Sequence, residues 1–148
     1  MQENFNPNGL GVKGNLFGLP ISVEEAELII IPVPWEVTVS YQDGTAQGPH
    51  AILTASTQID LYHHQIKDAW KTPIAMVSVS DELLNENNKL RVLAKGYIET
   101  LEPNADLEST KLITAKINEA SENLNIFIKN QCTRQLKAGK LVGLVGGD

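Results

Sequence analysis

The sequence predicts an α/β protein, a three-layer α/β/α arrangement with a mainly parallel sheet. Three short apolar runs rich in β-branched residues are typical of buried strands: residues 28–33, 74–79 and 141–145. The connections between them are long enough to hold helices, as parallel neighbours require, whereas a hairpin needs only a few residues. We therefore expect the three runs to be parallel neighbours in one sheet, with helices on its faces.

The first strand and the first helix are marked by prolines. Pro32 and Pro34 should end the first strand, because proline cannot donate a hydrogen bond to a sheet. After a long loop, the pattern predicts a helix over residues 47–62, since Pro49 suits the first helical turn. Four residues would form its apolar stripe: Ile52, Ala55, Ile59 and Tyr62.

Two further helices are predicted before the last strand. The first spans residues 81–101 and should end before Pro103. Its apolar residues are Leu83, Leu84, Leu90, Val92 and Leu93. Asn104 or Asp106 can cap the next helix, and Gly139 fits its C-terminal cap. This helix has the most regular stripe in the chain, formed by Ile113, Ile117, Ala120, Leu124, Phe127 and Ile128.

Composition narrows the class of protein. The chain has 148 residues, 42% of them hydrophobic and 20% charged, which is typical of one globular domain. Asn and Gly near the start indicate an N-terminal arm or loop over residues 1–24, before an α/β domain over residues 25–148. The formal net charge of -6 disfavours nucleic acid and anionic membranes as partners.

The cellular location of the protein is predicted from its single cysteine and from the absence of a long apolar stretch. The single cysteine, Cys132, excludes an internal disulfide and suits a reducing cytoplasm. It fits helix packing better than a reactive thiol. No stretch reaches the roughly 18 apolar residues of a membrane helix, and the N-terminus lacks a signal-peptide pattern. We therefore expect a cytoplasmic protein.

The loop after the first strand carries the first functional pattern, PVPWEVTVSYQDGTAQGPHAILTAS over residues 32–56. It resembles the ureohydrolases, the arginase and agmatinase family, in which a Gly-Thr-Ser-Tyr loop is followed by a glycine, then Gly-Pro and a helix. The matching residues are Val39, Ser40, Tyr41, Gly44, Gly48, Pro49, Ala51 and Ile52. Two departures stand out. Thr38 and Val39 replace a common Gly-Thr, and His50 replaces an arginine common after Gly-Pro.

The sequence LVGLVGGD over residues 141–148 gives the second match. In the family such a strand is followed by a histidine that is the first metal ligand, and an Asp-x-His-x-Asp cluster and an Asp-x-Asp pair come later. The resemblance implies two manganese ions in the parent enzyme, with a bridging hydroxide that attacks a guanidinium carbon. The expected substrates are agmatine, arginine or formiminoglutamate, and the products are urea or formamide plus an amine.

The same resemblance implies that the metal ligands follow Asp148. We therefore expect residues 1–148 alone to hold no catalytic residue or manganese and to be inactive. Five residues are expected next to the site: Tyr41, Gly44, Gly146, Gly147 and Asp148. Asp43 and Gly44 also fit ordinary turn chemistry, and Asp148 fits either a turn or an outer-sphere role beside the missing histidine.

The adjacent histidines His63 and His64 have a structural interpretation. On a helix their side chains would point about 100° apart, so they cannot chelate one ion as an i, i+4 pair does. We expect both at the surface, at the end of a helix.

Two other function classes remain open. A small phosphate- or nucleotide-binding module could present the amides of GLVGGD to an anion, although neither G-x-x-x-x-G-K-[ST] nor G-x-G-x-x-G occurs. A non-catalytic interaction domain is the other, because the stripe of the last helix and open strand edges favour association. We accordingly expect a homo-oligomer.

Overall fold

Three parallel strands form the sheet of the computed structural model, which describes residues 5–99 and 107–147. The strands are β1 (Leu28–Val33), β2 (Ile74–Met76) and β3 (Leu141–Gly146). The strand order is β2-β1-β3, and both pairs are parallel. Leu28 lies opposite Ile74 on one side and Leu141 on the other. The predicted α/β class and the parallel neighbours are confirmed. The expectation that residues 141–145 are buried is wrong, because β3 is an edge strand whose residues are exposed or half-buried.

The second strand is shorter than predicted. The ladder was expected to reach residue 79, but β2 ends at Met76, after which Val77 N donates to Ile30 O at 3.0 Å. The chain then turns into the next helix, where Ser80 Oγ accepts a hydrogen bond from Leu83 N at 3.2 Å. This capping role of Ser80 removes the last predicted residues from the sheet.

The first helix, α1 (Gly48–Ala55), begins at the predicted Gly-Pro but ends seven residues before residue 62. A 3-10 turn follows at Ser56–Gln58, and Ile59 is already extended. The buried Ser56 causes this change, because its Oγ accepts from Phe17 N at 2.9 Å and donates to Leu53 O at 2.7 Å. The predicted stripe is therefore wrong, since Ile59 and Tyr62 are exposed and Ile52 is 46% exposed.

The two long helices are α2 (Asp81–Glu99) and α3 (Leu107–Lys137). Helix α2 matches the prediction up to Glu99, while the predicted caps and the stop before Pro103 lie outside the described residues. Val92 was expected in the core but is 71% exposed, because it lies off the face that contains Leu90 and Ala94.

Helix α3 packs most of its predicted stripe against the core, with Ile113 and Ile128 half-buried. Ile117, Ala120 and Leu124 are buried, whereas Phe127 is 40% exposed and lies at the margin. Gly139 is confirmed as the cap, with φ +78. The hydrogen bonds from Gly139 N to Leu136 O and from Lys140 N to Gln135 O form a Schellman motif.

The core consists of two hydrophobic clusters. One joins α2 and α3 to the loop after β1 and contains Trp35, Val37, Leu90, Ala94, Ile117, Ala120 and Leu124. The other covers Ile29 and Ile31 of β1, and the segment before the strand contributes Leu19 and Ile21. Cys132 is half-buried against this second cluster, as a packing role requires. Within residues 5–99 and 107–147, no helix is both long and apolar enough to cross a bilayer.

Candidate functional site at the carboxyl ends of β1 and β3

The carboxyl ends of β1 and β3 meet at one edge of the sheet, where ligands bind in open α/β folds. Gly147 continues the ladder, and its N–H donates to Val33 O at 3.1 Å. A Cβ on Gly147 would lie 1.9 Å from Trp35 O and 3.3 Å from Ala46 N. The backbone of Gly147 therefore packs against both ends of the loop over residues 34–47, which we name the β1 loop.

Glu36 closes the β1 loop from inside. This side chain is buried, with 7% exposed. Its Oε2 accepts hydrogen bonds from Gly44 N at 2.7 Å, Thr45 Oγ1 at 3.0 Å and Ala46 N at 3.0 Å. One carboxylate thus joins the start of the loop to its end, and charge-assisted bonds of this kind are among the stronger hydrogen bonds in proteins.

The environment of Glu36 stabilises its ionised form. Burial by itself would raise the pKa of the Glu36 carboxyl. The donated hydrogen bonds outweigh burial and hold that pKa below its ordinary value of 4.5. Glu36 is therefore a carboxylate near neutral pH, and the amides that it binds are already occupied by an anion from the chain itself.

Helix α2 holds the β1 loop from outside through Asn87, Arg91 and Lys95, which are four residues apart and which we name the α2 polar stripe. Asn87 is fully buried, and its Oδ1 accepts from Glu36 N at 2.6 Å. Arg91 Nη1 donates to Val37 O at 3.1 Å. The stripe thus fixes the outgoing chain directly after β1.

Asp43 completes the attachment to α2. Its Oδ1 accepts from Arg91 Nε at 3.0 Å and Nη2 at 2.6 Å, while its Oδ2 pairs with Lys95. Hydrogen bonds from Lys95 and then Arg91 lower the pKa of the Asp43 carboxyl below its ordinary value. Because Arg91 bonds both Asp43 and the carbonyl of Val37, it bridges two separate parts of the loop.

The structure brings some of the predicted site residues together. Gly147 contacts the loop closed by Glu36, and Gly44 donates to that carboxylate. Gly146 lies against Val33, with its O facing Gly48 at the start of α1. Tyr41 is 92% exposed and lines a shallow groove of about 260 Å³ beside Asp43, while Asp148 lies outside the described residues. Their roles beside a site remain predictions.

His63 and His64 are exposed, as expected, but they do not end a helix. Their rings stack with centroids 5.3 Å apart in the connection that follows α1. His63 Nδ1 accepts from Gln65 N and Ile66 N, both at 3.2 Å, so it caps a local turn. No group of three or more His, Cys, Asp or Glu residues suited to a metal occurs in the described part of the chain.

Sequence reasoning missed Glu36 and the α2 polar stripe. Two signals were present: a glutamate directly after the apolar Pro-Trp, and polar residues at i, i+4 and i+8 of a helix. Neither signal identifies the residue that forms the hydrogen bond, because Glu36 and Asn87 are 51 positions apart. Bonds over such a distance depend on the fold.

Comparisons with known proteins give a consistent picture. A sequence model described as Arginase family matches residues 26–148. An N(1)-aminopropylagmatine ureohydrolase from Synechocystis sp. is 38% identical over 45 residues, 30% of this chain and 15% of that protein. A protein of the same name from Thermus thermophilus is 40% identical over 37 residues, 25% of this chain and 13% of the relative. The matched segments thus cover only a small part of each relative, and no solved structure matches significantly.

Proposed function

The chain belongs to the arginase family, and on this premise we propose that it forms part of a ureohydrolase. The proposed reaction is hydrolysis of a guanidino compound to urea plus an amine, or of a formimino compound of the formiminoglutamate type to formamide plus an amine. The family match over residues 26–148 is the observation that carries this proposal.

The geometry supports a role at the carboxyl edge of the sheet. Gly147 leaves β3 against the β1 loop, and Glu36 and the α2 polar stripe fix that loop. A site that aligns a small substrate needs such fixed walls, because small displacements of reacting groups reduce the rate strongly. In this proposal, the described residues supply the walls of the site.

The phosphate-binding alternative is less well supported. Glu36 occupies the N–H groups of Gly44 and Ala46, and Gly147 N bonds Val33 O. An incoming phosphate would have to displace these bonds and would meet the negative charge of Glu36.

Two manganese ions belong to the proposal for the parent enzyme, where metal charge would make water nucleophilic at neutral pH. The described residues do not fit such a site by themselves, because no group of three potential ligands comes together in residues 5–99 and 107–147. The proposal assigns the metal ligands to residues after Asp148 because the family pattern implies this, and it treats residues 1–148 alone as inactive.

A urea-release assay with added manganese tests this proposal on two proteins, residues 1–148 and the chain continued past Asp148. Agmatine, arginine and N(1)-aminopropylagmatine are the substrates to compare, and formiminoglutamate requires a formamide assay. We expect turnover by the continued chain and none by residues 1–148. Absence of turnover with every substrate would contradict the function. Micromolar manganese binding by residues 1–148 in calorimetry would contradict the assignment of the ligands.

Association and location form a secondary part of the proposal. Large apolar side chains are exposed on α3 and β3, including Leu112, Leu136, Leu141 and Leu144. Such surfaces favour a homo-oligomer, because burying apolar area stabilises association. Light scattering at low micromolar concentration would contradict this part if it gave the monomer mass of 16.2 kDa for residues 1–148. A cytoplasmic location is proposed from the single cysteine.

A further inference from the structure

The residue directly after β3 lies against the closed form of the β1 loop. Gly147 packs against Trp35 O at one end of the loop and near Ala46 N at the other. Glu36, which follows Trp35, accepts the hydrogen bond of Ala46 N at 3.0 Å. The two surfaces that Gly147 contacts are therefore held together by one side chain.

The α2 polar stripe does not replace this bond. The α2 polar stripe holds the first half of the loop at Glu36 N and Val37 O, and it reaches Asp43. Residues Gly44 to Ala46 are joined to the start of the loop through the Glu36 carboxylate. Without that carboxylate, the N–H groups of Gly44 and Ala46 would lose this acceptor, and the loop end would be held less firmly beside Gly147.

We propose that Glu36 is a positioning residue for the reaction at the carboxyl end of β3. It acts through the β1 loop on the position of Gly147, where β3 ends, and it is not itself a catalytic residue. This inference rests on the proposed ureohydrolase function, but the conformational part can be measured without activity.

The kinetic experiment uses the chain continued past Asp148 and its variant Glu36→Gln, which keeps the size of the side chain and removes its charge. We expect kcat to fall about tenfold while KM changes less than about twofold, which is the pattern for a lost interaction that matters mainly in the transition state. Glu86→Gln is the matched control, since Glu86 is exposed on α2 outside the loop network, and it should retain wild-type kcat.

A milder pair of variants covers the case in which Glu36→Gln does not fold. Thr45 is exposed, and its Oγ1 donates to Glu36. Thr45→Val removes this donor, whereas Thr45→Ser retains it. We expect Thr45→Val to lower kcat about threefold and Thr45→Ser to restore most of the loss. Equal kcat in the two variants would contradict the role of the hydrogen bond.

Amide hydrogen exchange gives the readout that does not require turnover. In Glu36→Gln, or in Thr45→Val if the former does not fold, exchange at Gly44 and Ala46 should accelerate, by about tenfold for Glu36→Gln. Exchange at Gly147 should accelerate as well, although Gly147 has no bond to Glu36. If exchange became faster at Gly44 and Ala46 but did not change at Gly147, Glu36 would stabilise only the residues it bonds. That result would overturn the proposal.

The two proposals fail in different ways. A wild-type protein that releases no urea or formamide would refute the enzyme function, and the exchange rates would still decide whether Glu36 controls Gly147. An active wild-type protein with unchanged kcat in Glu36→Gln would refute the positioning role alone.

Discussion

Two irregular segments of this protein differ in their long-range polar contacts. The β1 loop is fixed by long-range polar bonds: Asn87 reaches Glu36 over 51 positions, and Arg91 reaches Val37 over 54. The connection over residues 59–72 has side-chain hydrogen bonds between near neighbours, such as Lys71 to Asp68. Its long-range contacts are apolar, including the rings of Trp70 and Phe5 with centroids 5.7 Å apart.

This difference shows which of the two segments can keep its backbone in one fixed geometry. Hydrogen bonds to buried groups are directional, so they fix the backbone of the β1 loop in one orientation. Apolar contacts depend little on angle, so the second connection can keep Trp70 covered in more than one arrangement. The directional bonds are found at the carboxyl edge of the sheet, where the candidate site lies.

The largest effect is expected where the β1 loop meets β3. Gly147→Ala places a methyl group 1.9 Å from Trp35 O, a backbone atom that cannot move without shifting β1 or its loop. We expect the free energy of unfolding to fall by about 3 kcal/mol or more. Chemical denaturation measures this loss.

Gly143→Ala is the matched control in the same strand. Its Cβ would meet the Cδ1 of Ile30 at 2.9 Å, and that atom ends a flexible side chain. We expect a loss of about 1 kcal/mol. Similar losses in the two variants would mean that the β1 loop shifts to accommodate the methyl group of Gly147→Ala and is therefore not rigid.

A smaller loss of unfolding free energy is expected when the hydrogen bond between the β1 loop and helix α2 is removed. Asn87→Ala leaves the buried Glu36 N–H without its acceptor, and we expect the free energy of unfolding to fall by about 2 kcal/mol. Asn85→Ala, on an exposed position of the same helix, should change it by less than about 0.5 kcal/mol. Equal losses of unfolding free energy in the two variants would show that the hydrogen bond from Glu36 N to Asn87 contributes nothing measurable to stability.

The pH dependence tests the charge of Glu36. Because its pKa is lower in the folded protein than the ordinary 4.5, its carboxylate stabilises the fold above about pH 4.5. This contribution is lost as the pH falls through the folded pKa. We expect the stability difference between wild type and Glu36→Gln to be largest near pH 7 and to shrink below pH 4.5. A difference that stays constant down to pH 3 would contradict ionisation of Glu36.

The sequence predicts the sheet and the long helices because periodic burial of apolar residues determines them. The stripe with Ile117 and Leu124 is buried as predicted, and the Gly139 cap depends only on a positive φ. The end of α1 could not be predicted, because Ser56 bonds Phe17 from 39 positions away. Asn87 was unpredictable for the same physical reason, since a buried polar residue is recognised only through its partner.

The smallest effect is expected for the ion pairs, of which each of the two segments has one to compare. Asp43 bonds Arg91 across 48 positions, whereas Asp68 bonds Lys71 within one turn. Asp43→Asn weakens a link between loop and helix, and the Arg91 side chain is only 12% exposed, so salt screens this pair incompletely.

Asp68→Asn removes a pair whose partners are both well exposed and close in sequence, and such pairs contribute little to folding. We expect a small drop in melting temperature for Asp43→Asn that persists in part at 0.5 M salt, about the level at which exposed pairs are largely screened. Asp68→Asn should match wild type at both salt concentrations. If the two variants lost the same amount and both losses vanished in salt, the Asp43 contacts would be surface pairs of the ordinary kind. The polar contacts that fix the β1 loop would then be those of Glu36 and Asn87 and the bond from Arg91 to Val37 O.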